Sequence, residues 1–434
     1  MSWYLKQQVG PPADQTAFSP PIPWQPDRKF KSQHHTHTED FTMQHIKIKP
    51  GVPLAEQAEL GHNRWHPDIP FLTSVKPGEE ILLESLDFLD AQIKDTDTVD
   101  DIINVDLTRA HPLTGPFYVE GAEPGDLLVI DLLDIKPVTP IGFSGVFAKE
   151  NGGGFLADYF PDADKAIWDL KGLYATSRHI PGVRIAGLTH PGLMGCLPSM
   201  DLLKEWNRRE ALLVPKGQAN PPDPRTAVLR GLQGAEFDRM ASEAARTVPP
   251  REHGGNTDIK DLSAGTRIFF PVYVEGAGFS MGDLHFSQGD GEIGFCGAIE
   301  MDGVTRVGFD LIKGGMAKYN IDAPIFIPSP VKPNYDEWLT FEGISVENGV
   351  NYYLDASVAY RQACLKAIKY LENFGFTGSQ AYMLLTAAPV EGRIGGIVDI
   401  PNCACTISLP TGIFEQDILP KGMLSEKKYW GHER

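Results

Sequence analysis

The amino-acid pattern predicts a β-rich α+β protein. It reads as antiparallel sheets, sandwich or barrel-like, with inserted helices and an α+β C-terminal part. Three observations carry this. Glycine (44) and proline (35) are abundant in the 434 residues, which favours many turns and short strands. Apolar runs of strand length recur between turn signals. Helical spacing is confined to a few segments, without the regular βαβ alternation of a doubly wound sheet.

The elements follow in chain order. Residues 1–43 hold the proline-rich SPPIPWQP and a polar tract with His34, His35 and His37, and read as a surface-wrapping or loosely ordered extension. Residues 44–214 form an N-terminal β-rich part. Ile46 and Ile48 alternate with polar neighbours, and Pro77-Gly78 precedes a strand. GPFYVEGAEPGDLLVIDLLDI reads as a hairpin turning at Pro124-Gly125. A helix begins after Ser199 as N-cap. Residues 215–250 are a linker and a second helix that ends before Pro249-Pro250. Residues 251–434 return to strands, then a helix stopping at Gly375, a short helix from Thr377 or Ser379, and a strand over 396–400. VEGA occurs twice, at 119–122 and 274–277, in similar strand–turn settings.

Composition excludes several classes of function. A formal charge of -18 and the lack of any Lys/Arg-rich run argue against a nucleic-acid partner. No apolar run reaches membrane-spanning length, and the N-terminus has no signal-peptide core. Five scattered cysteines do not make a disulfide framework, which points to a reducing, cytoplasmic setting.

Chemistry concentrates in GDLHFSQGDGE, residues 282–292. On a strand, Asp283 and His285 share one face while Leu284 and Phe286 take the other. Asp290 and Glu292 follow a glycine-permitted turn and are again two apart. An imidazole and carboxylates converging in this way suit a metal ion, or else a polar turn whose acids cap backbone amides. REHGGNTDIKDL places Asn256 and Asp258 at the same spacing. GHNRWHPDIP carries His62, Arg64, His66 and Asp68 around Trp65, a candidate pocket wall. HPGLMGC offers His190 and Cys196; as a nucleophile, Cys196 needs an adjacent base.

HNRWHPDIP, NGGGFLADYFP, HPGLMGCLPS, PPREHGGNTDIKDL, SMGDLHFSQGDGE and IKGGMAKY together resemble the acetamidase/formamidase family, in order, over residues 44–418. The resemblance implies a cytoplasmic, β-rich homo-oligomer that hydrolyses formamide, and related short linear amides such as acetamide, with a divalent metal. Zinc is expected, with calcium or magnesium as alternatives. It draws the site from the GGNxD and GDxH…GDGE segments. Within them Asp258, Asp283 and His285 are expected as ligands and Glu292 as general base. Asp290 is expected to complete the shell or orient His285. Asn256, His190 and Trp65 are expected at the substrate. The alternatives are an amidase with Cys196 as nucleophile and a non-catalytic metal-binding β module.

Overall fold

The computed structural model describes residues 43–421. The extension at 1–43, including His34, His35 and His37, lies outside the described residues except for Met43. A six-stranded sheet runs in the order Gln44–Ile46, Glu80–Ser85, Gly303–Ile312, Leu127–Pro137, Arg267–Pro271, Ile325–Ile327. A twelve-stranded sheet is organised around Ala277–Gln288. Antiparallel pairing dominates both, as expected, and neither closes into a barrel. Each large sheet interleaves strands from before residue 215 and after residue 250, so the parts at 44–214 and 251–434 share one framework. Among the described residues, no helix is long and apolar enough to cross a membrane.

The expected hairpin at Pro124-Gly125 is not formed. Leu113–Val119 lies in the twelve-stranded sheet and Leu127–Pro137 in the other. Both runs are largely buried, so each pairs within a sheet of its own. The second VEGA segment does the same in reverse, joining Arg267–Pro271 to Ala277–Gln288. The two segments bond to each other: Val119 N–H donates to Gly276 O (2.9 Å) and Gly276 N–H to Ala122 O (2.9 Å). The repeated letters therefore mark one paired crossover between the sheets.

Every residue of Ala277–Gln288 is buried. Leu284 and Phe286 join the main apolar core, while Asp283 and His285 bond to each other, as strand alternation requires. Along one edge this strand pairs first with Leu113–Val119 and then with Ala298–Met301; along the other it pairs with His190–Gly195.

The C-terminal α+β part is a three-stranded antiparallel sheet, Trp338–Ile344, Ala404–Pro410, Glu391–Gly396, under the helix Ala356–Leu371. The Asp355 carboxylate caps that helix, and Thr377 with Gln380 forms a capping box on Gly378–Ala387. The strand expected over 396–400 lies earlier, at Glu391–Gly396. Its pairing ends at Gly396 opposite Ala404, so the residues between must turn the chain back. Ser199 caps Met200–Ala211 as expected.

The helix can approach its sheet because residue 343 has no side chain. A Cβ there would stand 2.0 Å from Ala359 O and 2.4 Å from Ala363 N. Gly343→Ala is therefore expected to lower stability by about 1–3 kcal/mol. Urea unfolding with an unchanged slope and a lower midpoint is the expected result; an unchanged midpoint contradicts this packing.

Candidate metal centre and active site

Three segments meet at one point. His190–Gly195 pairs with Ala277–Gln288, setting His190 opposite His285. On its other side it pairs with Gly254–Asn256, setting Leu193 opposite Asn256. Just beyond, the N–H groups of Thr257 and Asp258 both donate to Gly192 O (3.0 and 3.1 Å). Asp258 is thereby delivered beside Asp283 and His285. One donor atom from each of the three lies within 4.8 Å of the others. A Cβ on Gly192 would stand 2.4 Å from Asp258 Oδ1, 2.5 Å from Asp283 Oδ2 and 2.6 Å from His285 Cε1. The cluster therefore sits over a bare α-carbon.

Hydrogen bonds fix the imidazole. Gln288 Nε2 donates to Asp258 O (2.6 Å), which turns Gln288 Oε1 toward His285 Nδ1 at 2.9 Å. His190 Nδ1 lies 2.7 Å from Leu188 O, and its Nε2 lies 2.9 Å from Gln288 Oε1 and 3.3 Å from His285 Nδ1. Because an amide oxygen only accepts, His285 Nδ1 carries a proton and donates it to Gln288 Oε1. Its Nε2 points into the acidic cluster, 3.1 Å from Asp283 Oδ1 and 3.0 Å from Glu300 Oε2. A histidine that donates from one nitrogen to an amide oxygen and aims the other at carboxylates has the arrangement typical of a metal ligand.

The electrostatics are those of crowded acid. Burial works against charge on His285, but Glu300 and Asp283 hold its pKa well above the usual imidazole range. Burial alone would raise the pKa of Asp283, but His285 outweighs it and lowers the value. Burial, reinforced by Glu292 and Asp283, pushes Asp258 well up. Burial also raises Glu292 and Glu300 to about 7. Two buried carboxylates, Asp283 and Glu300, and two half-buried ones, Asp258 and Glu292, thus surround one imidazole, and a cation relieves the excess that protons otherwise neutralise. Asp258 Oδ1 is buried with no hydrogen-bond partner among the described residues. The orphaned oxygen, the convergence of all three side chains over the bare α-carbon of Gly192 and the carboxylate–imidazole donor set all fit a divalent cation. Asp258 (φ 48°), Asp283 (φ 57°) and Glu292 (φ 44°) all adopt left-handed backbone, strain of about 1–3 kcal/mol each of the sort that gathers at functional sites.

The structure brings Asp258, Asp283, His285 and Glu292 together. Glu292 and Asp258 each shift the other's charge equilibrium, and a Cβ on Gly297 would lie 1.9 Å from Glu292 Cγ. Asp290 is placed elsewhere. Its carboxylate pairs with Lys260 and accepts from Gly392 N–H (2.9 Å), so it does not orient His285. Gln288 and His190 hold Nδ1, and Glu300 lies against Nε2. Glu300, in EIGFCGAIEM, gave no local signal, because strand pairing opposite His285 alone brings it in.

His190 is fully buried and stands edge-on to His285, ring centroids 5.0 Å apart. Trp65 is fully buried among Leu193, Leu197 and Trp206, with its indole edge-on to His253, so it is core and not pocket wall. Asn256 donates to Val248 O (3.2 Å), and its own Oδ1 has no partner among the described residues. His62 bonds Ser280 Oγ (2.8 Å), Arg64 bonds Thr108 O (2.9 Å) and His66 bonds Glu243 (2.9 Å), so that segment is structural. Cys196 is fully buried. Burial pushes its thiol pKa up, and no base bonds it among the described residues, which removes the conditions for a thiolate nucleophile.

The acetamidase/formamidase family model matches residues 47–416. The chain belongs to that family. Formamidase of Methylophilus methylotrophus is 56% identical over 374 residues, 84% of this chain and 92% of that protein. Acetamidase of Mycolicibacterium smegmatis is 53% identical, covering 84% of this chain and 94% of that one. The solved structure of a gamma lactamase from Delftia acidovorans superposes with a TM-score of 0.85 at 56% identity, covering 87% of this chain and 95% of that one. The span of the acetamidase/formamidase match agrees with the motif resemblance read at 44–418.

The Gly192 geometry has a measurable consequence. Gly192→Ala is expected to lower stability by about 1–3 kcal/mol, read as a lower urea midpoint, because the new Cβ meets all three side chains. An unchanged midpoint contradicts the cluster's placement over that α-carbon.

Proposed function

We infer that this chain is an amidohydrolase acting on short linear amides, formamide and acetamide among them, and that its reaction centre is the Asp258–Asp283–His285 cluster. The reaction adds water across the C–N bond and releases the carboxylate and ammonia. Relatives named formamidase and acetamidase at 56% and 53% identity, over most of both chains, support the substrate class. The single observation that carries the site is the convergence of two carboxylates and an oriented imidazole over Gly192.

We propose that Asp258, Asp283 and His285 hold a divalent cation, zinc or alternatively calcium or magnesium. When bound, such an ion supplies Lewis-acid polarisation of an amide carbonyl and lowers the pKa of water. The rest is work for the protein's own groups. Gln288 and His190 keep His285 Nε2 aimed at the cluster. Glu292, half-buried and with its pKa raised to about 7 chiefly by desolvation, takes the proton from the attacking water and returns it to the departing nitrogen. Glu300 lies 3.0 Å from His285 Nε2 and adds negative charge to the cluster that would hold the cation.

Self-association is also proposed. Ile394, Val398, Ile400 and Tyr353 are each at least 60% exposed, an apolar load that supports burial against further copies of the chain. A cytoplasmic setting is the reading favoured by five unpaired thiols.

The test pairs elemental analysis with ammonia release from formamide. Asp283→Ala is expected to lose bound metal and to cut kcat/KM by at least about 10²-fold. Cys196→Ala is expected to keep both. A metal-free Asp283→Ala enzyme that still releases ammonia at the wild-type rate contradicts the proposal, as does an inactive Cys196→Ala that retains its fold.

A further inference from the structure

A cavity of about 250 Å3 is lined in part by Phe88, Leu107, His111, Val248 and Phe295. Three connections tie it to the site. Leu113, two residues after His111, pairs with Gly282, which puts His111 near Asp283; both Asp283 and His285 act on its charge. Val248 O accepts from Asn256 Nδ2. Phe295 lies in the segment that leaves Glu292 and returns at Gly297 to pack on the Glu292 side chain. Glu150, Asn151 and Arg246 also line the cavity.

Local bonding fixes the histidine's tautomer. Thr247 Oγ accepts from the His111 backbone N–H (2.7 Å) and lies 3.0 Å from His111 Nδ1. The buried hydroxyl has no other acceptor among the described residues, so its proton goes to Nδ1. Nε2 therefore carries hydrogen and has no protein acceptor among the described residues. The ring is held against Phe88, centroids 5.4 Å apart. The result is an N–H donor held beside the apolar side chains of Phe88, Val248 and Phe295, in a cavity whose wall also carries Glu150, Asn151 and Arg246.

We propose that this cavity is the substrate pocket, with His111 Nε2–H donating to the amide carbonyl oxygen and Phe88, Val248 and Phe295 bounding the acyl group. The inference rests on the amidohydrolase reading and deepens it. Formamide has three heavy atoms, while the space falls just below the roughly 300–1,000 Å3 of pockets for drug-sized ligands. The pocket is thus sized for amides with a short apolar chain or a small ring. The similar Delftia protein, whose name specifies a lactam, fits that range.

The experiment measures kcat/KM for formamide, acetamide, propionamide, butyramide and 2-pyrrolidinone. His111→Leu is expected to lower all five by about 10²–10³-fold with metal content and circular dichroism unchanged. His111→Gln, which restores an N–H donor, recovers part of the loss. Phe295→Ala is expected to raise the butyramide-to-formamide ratio by at least about 10-fold. Wild-type rates in His111→Leu, or an unchanged ratio in Phe295→Ala, overturn the pocket while leaving the amidohydrolase reading intact. A wild-type enzyme that releases no ammonia from any linear amide overturns that reading and the pocket with it.

Discussion

Two carboxylates and an imidazole can share one small volume here because residue 192 has no side chain. Its α-carbon is the floor of the cluster, and its carbonyl is the shared acceptor that places Thr257 and Asp258. Any β-carbon would overlap atoms of all three groups. The site is thus specified by an absence of volume as much as by the acids themselves. Comparable room is made at Gly297, against which Glu292 lies.

The fold serves this arrangement by carrying Ala277–Gln288 through the interior with every residue buried. A strand so enclosed can bear an acid and an imidazole only where neighbours satisfy them. Strand pairing supplies those neighbours: His190 from one edge and Glu300 from the other. Gln288, at the end of the same strand, joins the Asp258 backbone to the His285 ring. Strained backbone at Asp258, Asp283 and Glu292 is tolerated because pairing and packing over-determine each position.

Much of this was legible in the chain, and the failures have physical causes. The antiparallel, β-rich class followed from turn residues and strand-length apolar runs. The shared face of Asp283 and His285 followed from a period of two. Ser199, Thr377 and Gly375 marked helix ends through local chemistry. What the chain hid was partnership. Val119 and Leu127 flank a good turn yet join different sheets, because turn chemistry fixes a reversal and not the strand's partner. Asp290 has the spacing of a site acid, but Lys260 and Gly392 N–H claim it. Trp65 looked like a pocket wall among histidines and is core. Glu300, Gln288 and His111 were missed because each acts through a register or a tautomer, and neither can be read from local spacing.

The most direct measurement is an anomalous-difference map from crystals of the full chain grown with zinc. It is predicted to show one strong peak about 2.0–2.2 Å from oxygens of Asp258 and Asp283 and from His285 Nε2. A peak at another site, or none here in crystals that still hydrolyse amide, would contradict the proposed metal centre.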